Sequence, residues 1–570
     1  MNYLKEQIEQ DFAEVINNIF GLQDNILIAL RENQTVKEFD YQIDCSFLIA
    51  KHFKKNPIEI AETITINLKR HDIYKEVTAS KPGFINIKIN KDFLESYLLE
   101  TIKIESSNKK NIIVDYPSPN VAKEMHVGHL RSAIIGDAIS RILEYLGHNV
   151  IRQNHIGDWG TQFGFLIEYI LEHNLELKNI TEISNIYKKA RETFDNNQEF
   201  EIRARSRLLK LQAKEQDTYK IWQALYKVSL THFDEIAKKL GLKLTEEDIK
   251  GESFYNEMLP GIVEDLTNKS IAVESAGAQV IFLEGFYDKD KNPVPMIIKK
   301  SDGGYLYHTT DLAAANYRAN ELHADKIIYV VDARQKQHFE MLFAALKKSS
   351  LFASKISFCH VGFGTVLGED KKPFKTRSGE TVSLLSLLNE AEAKAKEGVL
   401  QKYQDLPEEE VSLIANKVGI GALKYADLSN DLTRDYVFSF ERMLSFNGNT
   451  APYLQNAYVR IKSIFRKENL DFETTKKYLI ITSEAERKLC VKLTEFPDVI
   501  MNIEEKLTPH LLCNYLYDLA SLFHNFYENC PVAKCADESV KQARFYICYL
   551  AANQLKLGLS LLGIDVIEKM

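Results

Sequence analysis

No run in this 570-residue chain approaches the roughly 18 apolar residues that a membrane-crossing helix needs, and the opening MNYLKEQIEQDF is too charged for a signal peptide. Cysteine is scarce. The seven (Cys45, Cys359, Cys490, Cys513, Cys530, Cys535 and Cys548) form an odd set without a CxxC pair, which leaves no disulfide framework. Cys530 and Cys535 come nearest to metal-ligand spacing, and reduced thiols are the better reading. There is no internal repeat and no low-complexity tail. An excess of positive charge is also missing. The net charge of −8 argues against a uniformly basic nucleic-acid binder, though not against a local basic patch. What is present, 45% hydrophobic and 27% charged residues, is the balance of a soluble globular protein. It is expected to be cytoplasmic, with about three or four domains.

The chain is organised around Asn111 to Gly164. Asn111 to Tyr116 is a short apolar run with a polar end, the pattern of a buried parallel strand. Pro117 and Pro119 delay the next helix, and from His126 apolar residues recur at helical spacing until Gly147, a C-terminal cap. Val150 and Ile151 begin a second extended run. This is a βαβ unit whose loop lies at the carboxyl end of its first strand, where doubly wound folds bind nucleotides. In that loop, His126-Val127-Gly128-His129 puts two imidazoles on one face of a helix start, beside unpaired N–H groups and the positive end of the dipole. Such a place suits a triphosphate. Gly128 leaves room for a flat base against the backbone. Capping or core histidines are the alternative, against which the strand before and the helix after stand as context.

The block resembles the HIGH region of class I aminoacyl-tRNA synthetases. The longer strings SPNVAKEMHVGHLRSAIIGD (Ser118–Asp137) and NHIGDWGTQFG (Asn154–Gly164) resemble those of the arginyl-tRNA synthetase family in particular. The likeness extends over most of the chain. It implies an α/β fold, with a class I Rossmann-type nucleotide-binding catalytic domain, an N-terminal α+β domain and a C-terminal all-α anticodon-binding bundle. It also implies ATP, L-arginine and tRNA(Arg) as partners, Mg²⁺ with the ATP, and a monomer free of any membrane.

Residues 1–108 read as the N-terminal domain. They open on an amphipathic helix and include KPGFINIKIN (Lys81–Asn90), a strand after a Pro-Gly turn. The resemblance implies contact with the tRNA elbow, for which Lys69, Arg70 and Lys81 are candidates. Residues 109–395 are the expected catalytic domain, split by a charged helical insertion over about 180–245. GESFYNEML (Gly251–Leu259) reads as a return to a strand-like or loop edge. The second half holds VIFLEG (Val280–Gly285), PMIIKK (Pro295–Lys300) and the central parallel strand IIYVV (Ile327–Val331), with Asp332, Arg334, Gln335 and His338 just past its carboxyl end. Residues 396–570 are helical in pattern and form the expected anticodon domain.

A guanidinium ligand calls for carboxylates. Carried over from the family, Asp115 faces the amino acid, Tyr307 and Asp311 hold the guanidinium on one helical face, and Glu252 is a second acid. Asn120 and Gln335 orient the α-amino and α-carboxyl ends, and His126 touches both substrates. ATP falls to His126, Gly128, His129 and Val366. The family's KMSKS loop is degenerate here: Phe374-Lys375-Thr376-Arg377-Ser378 puts Arg377 at the second lysine, with Lys375 before it. Lys123, just upstream of the signature, matches a lysine thought to compensate. Tyr453 and Arg460 match positions that touch the anticodon loop, although the family's second aromatic stands as Asn456. The resemblance further implies that amino-acid activation waits for bound tRNA.

Two other functions stay open on the sequence. A small HxGH nucleotidyltransferase would need neither flanking domain, and the chain length argues against it. A non-catalytic RNA- or protein-binding paralogue has the degenerate loop in its favour and the intact His126, Gly128 and His129 against it. A cysteine specificity would want a metal or a different pocket.

Overall fold

The computed structural model describes residues 3–22, 28, 30–33, 38–68, 72–100, 103–349, 351, 356–374, 382–402 and 405–569. Lys69, Arg70, Lys375 and Arg377 therefore lie outside the described residues, while Lys81 is exposed.

Four parallel strands carry the centre of the molecule, in the order Ser357–Phe363, Lys326–Asp332, Asn111–Asp115, Asn149–Gln153. Ile112, Ile113 and Val114 are buried on both sides of the sheet, as are Ile327, Ile328 and Val330, which is why these strands read as unbroken apolar runs. The order reverses between Asn111–Asp115 and Lys326–Asp332. Such a switch point opens a crevice at the strands' carboxyl ends. The helix Val127–Tyr145 starts there and is apolar almost all round, from Leu130 through Ile135, Ile139 and Leu143. It can be so because it is enclosed by the sheet on one side and by helices of the C-terminal bundle on the other.

VIFLEG and PMIIKK do not join this sheet. They lie in Ala278–Tyr287 and Pro293–Lys299, which with Val273–Ser275 form a separate three-stranded antiparallel sheet. GESFY is not an edge strand either; Glu252–Tyr255 is one turn of helix. The helices Ile180–Asn196, Gln198–Gln212 and Gln216–Leu240 make up the charged insertion. The helix Leu384–Lys402 runs unbroken through the 395/396 division drawn from the sequence, so that division marks no structural boundary.

The N-terminal segment is a four-stranded antiparallel sheet with helices packed on it. It rests on the bundle through Arg487, whose guanidinium donates to both oxygens of Asp40, at 3.0 and 2.5 Å, and to the Ile89 carbonyl at 2.6 Å. A fork that meets three acceptors at once sets the relative position of two domains far better than an ammonium could.

Candidate active site

At the crevice the chain leaves Asp115, turns through Pro117–Met125, and enters the helix at His126. The two imidazoles hold each other and the helix start. His126 Nδ1 accepts from the Gly128 N–H at 3.1 Å, His129 Nδ1 accepts from the His126 N–H at 3.1 Å, and the rings are 4.0 Å apart. A Cβ on residue 128 would come within 2.9 Å of the His126 ring, so Gly128 is what lets that ring fold back over the helix start. With both Nδ1 atoms accepting, the proton of each neutral ring sits on Nε2, free to donate to an anion. Both rings are held neutral. Desolvation, then Arg334 and Lys123, push His126 below the usual range; desolvation and the His126 ring push His129 down to about 3. The site thus presents oriented neutral donors at the helix start, and formal charge comes from elsewhere.

Lys123 is one source. Its Nζ lies 4.4 Å from the ring centre of Tyr187, a residue of the insertion, and its charge reaches both imidazoles. Arg334 is held at the rim by Asp332, at 2.9 and 2.6 Å. Val366 is buried, pairing in parallel with Tyr436, and its carbonyl accepts from the Phe374 N–H at 3.0 Å.

Across the switch point lies an acidic pocket. Asp311 is on the helix Tyr307–Asn320, with one oxygen 2.7 Å from His338 Nε2 and the other 3.9 Å from His155 Nε2. Burial raises its pKa, but the bond and charge of His338, then His155 and Arg318, outweigh burial and leave the carboxylate below the ordinary range. Glu252 is half-buried beside it. Its one Oε2 bond, from the Trp159 N–H, is long at 3.3 Å, and burial with the charges of Asp158 and Asp311 drives its carboxyl up to about 8. Buried ring nitrogens without partners gather here: Nδ1 of His155, His308 and His338, and Nε1 of Trp159. Tyr307, exposed, lies tilted against the rings of His308 and His338, at 4.1 and 5.1 Å. Asn120, paired as a bridge with Gly157, and Gln335, on a short 3₁₀ turn, are both exposed at the rim.

Asp115, at the end of its strand, accepts at Oδ2 from Arg318 at 2.6 Å and at Oδ1 from the Ser118 hydroxyl at 2.7 Å. Arg318, wholly buried, also donates to Gln153 at 2.6 Å. His155, Trp159, Asp158, Tyr187 and Arg318 were given no role on sequence grounds, although NHIGDWG stood out as a string.

In the bundle, Tyr453 and Arg460 lie on the helix Ala451–Lys467 and are joined by His524 of the helix His510–Asn529. Arg460 Nη1 is 3.1 Å from His524 Nδ1, the Tyr453 ring is 5.1 Å from the His524 ring, and Arg460 stacks over Tyr527 at 5.3 Å.

A parallel nucleotide-binding sheet with HVGH at its switch point, followed by a helical bundle, is the architecture of a class I aminoacyl-tRNA synthetase. The match to the family model for the class I (R) tRNA synthetase catalytic domain covers residues 93–440. Models of the arginyl tRNA synthetase N-terminal domain and the DALR anticodon binding domain match residues 6–89 and 454–570. The chain belongs to the arginyl-tRNA synthetase family. It is 43% identical to an arginine–tRNA ligase of Idiomarina loihiensis over 100% of both chains, and 44% identical to one of Escherichia coli over 95% of each. The arginyl-tRNA synthetase structure from Plasmodium falciparum superposes with a TM-score of 0.87 at 33% identity, over 100% of both chains. The Thermus thermophilus arginyl-tRNA synthetase shares the fold, with a TM-score of 0.83 at 23% identity over 99% of this chain and 100% of its own.

Proposed function

We propose that this chain joins L-arginine to the 3′ end of tRNA(Arg) at the expense of ATP. The observation that carries the specificity is the meeting of Asp311 and Glu252 in one pocket at the switch point, beside the neutral donors His126 and His129. A guanidinium can meet both acids, whereas a neutral side chain adds no charge to offset their burial, at a cost of about 1–3 kcal/mol.

In the first step an oxygen of the arginine carboxylate attacks the α-phosphorus of ATP in line, the bond to the β-phosphate oxygen breaks, and pyrophosphate leaves. Asn120 and Gln335 orient the amino acid, Tyr307 covers the guanidinium, and Asp115 acts through Arg318 as a brace. His126 and His129 donate from Nε2 to phosphate oxygens, where preorganised donors count most. Gly128 and Val366 leave a slot for the base. Lys123 supplies charge that the degenerate loop, with Lys375 and Arg377, provides less well. Mg²⁺ enters with ATP as part of that substrate. Among the described residues no group of three His, Cys, Asp or Glu forms a cage, and Mg²⁺ favours phosphates and water over such cages.

In the second step the terminal ribose hydroxyl attacks the arginyl carbonyl and AMP leaves. The N-terminal domain meets the tRNA elbow, and Tyr453 and Arg460 read the anticodon loop by stacking and charge. Docking of tRNA completes the ATP site, an induced fit used as a gate. The chain acts as a cytoplasmic monomer, and among the described residues no helix is long and apolar enough to cross a membrane. Charging of total tRNA with each labelled amino acid tests the activity: arginine alone should be incorporated, and comparable charging with any other would refute it. ATP–pyrophosphate exchange should appear when tRNA(Arg) is added to a ribonuclease-treated preparation; full exchange beforehand would refute the gate.

A further inference from the structure

We propose that Arg131 is a positioning residue for the ATP site, locking the Val366 rim of the cleft to the signature helix through Asp427 of the helical bundle. This rests on the reading of Val366 as part of the ATP site.

Arg131 sits one helical turn past His126–Gly128, on the same rigid helix, and its side chain is 1% exposed. It gathers three separate segments. Its Nε lies 3.1 and 3.2 Å from the two oxygens of Asp427, which is wholly buried on the bundle helix Glu408–Leu428. Its Nη1 donates to the Gly364 carbonyl at 2.7 Å and to the Arg434 carbonyl at 3.3 Å. The guanidinium is flanked by the rings of Phe363 and Tyr436, at 5.5 and 5.3 Å, and the Tyr436 side chain is itself hydrogen-bonded to Asp427.

Gly364 and Arg434 flank the two short strands that place Val366. Thr365 donates to Asp435 at 2.6 Å, the Tyr436 N–H donates to the Thr365 carbonyl at 3.3 Å, and Val366 pairs with Tyr436. The segments touch so closely that a Cβ on residue 364 would come within 2.7 Å of the Arg434 backbone. One guanidinium therefore sets the distance between the donors at the helix start and the opposite wall of the cleft, and it takes that distance from the bundle. A buried pair of this kind is a poor source of stability, because desolvation offsets the attraction, but it defines geometry well. Nothing in the acidic pocket touches it, so a change in Arg131 should reach ATP before it reaches arginine.

The test is Arg131→Lys. Lysine keeps the charge and can meet Asp427, but it lacks the fork that also holds Gly364 and Arg434. With the active fraction titrated and folding checked by circular dichroism, KM for ATP should rise about tenfold while arginine Kd stays within about twofold, the split expected of a displaced wall rather than a loosened fold. Tyr436→Phe removes one hydroxyl bond to Asp427 and should shift KM for ATP in the same direction by about threefold, and it decides the matter should Arg131→Lys not fold. KM for ATP unchanged in whichever variant is folded, or a loss confined to the active fraction, would overturn the proposal. Wild-type arginine charging separates the two readings. If it is present and the variants leave KM for ATP alone, only the positioning role fails; if it is absent, the assignment of activity fails first.

Discussion

Arginine binding should tighten as pH rises, and Glu252 makes the size of the effect calculable. In the free chain its carboxyl is held at about 8 by burial and by Asp158 and Asp311. A guanidinium placed between Glu252 and Asp311 favours the ionised form, so binding expels the proton. At pH 7, one unit below that value, about nine-tenths of the sites carry the proton and about 0.9 proton should leave per arginine bound. Each further unit of acidity should weaken binding about tenfold, and the loss from the plateau to pH 6 should be about 100-fold, or about 2.7 kcal/mol. Asp311, held low by His338, stays ionised across this window and adds no slope. Calorimetry in buffers of different ionisation enthalpy reads the proton directly. Glu252→Gln, a mimic of the protonated acid, should bind arginine more weakly than the wild type down to pH 6, release no proton, and fail to tighten at higher pH. A Kd independent of pH in the wild type, with no proton released, would refute the reasoning. The same group acts on stability with the opposite sign. Between the ordinary glutamate pKa and 8 the folded chain keeps a proton that the unfolded chain has lost, so stability falls as pH rises through that window. Glu252→Gln should therefore gain Tm relative to wild type at pH 8 and show no such gain at pH 4.

Three further outcomes follow from the site. Asp311→Asn should cost about 2–5 kcal/mol in arginine binding with ATP affinity little changed, and calorimetric binding equal to wild type would remove Asp311 from the pocket. Lys123→Ala should lower kcat by about 10²-fold with a smaller change in KM for ATP, and a near-normal kcat would return the phosphate charge to Lys375 and Arg377. Tyr453→Ala combined with Arg460→Ala should weaken charging at limiting tRNA while arginine binding stays intact; unaltered charging would move anticodon contact off this face.

Features carried by local periodicity could be read before any fold was in hand. The apolar run Asn111–Asp115, the helix after His126 and the reversal at Gly147 depend on residues within a few positions of each other, and each element forms where the pattern places it. Tyr307 and Asp311 share a face because four residues make about one helical turn. VIFLEG shows where local pattern stops: a run of apolar residues announces a strand but not which sheet it joins, and tertiary pairing put it in a separate antiparallel one.

The chemistry of the pocket was settled by contacts that no local pattern reports. Asp115 ends a strand, and Arg318, distant in the chain, pairs with one of its oxygens. His338 and His155 flank Asp311 from two other segments, and Glu252 is raised toward neutrality by burial and by acids far from it in sequence. Tyr187 from the insertion meets Lys123, and His524 from a second helix joins Tyr453 to Arg460. Residue identity and short-range spacing determine which groups are present and which face of an element carries them. Which charges are neutralised, which stay free for a substrate and which are pushed off their usual pKa depend on desolvation and on partners within a few ångströms, and only the folded chain brings those partners together.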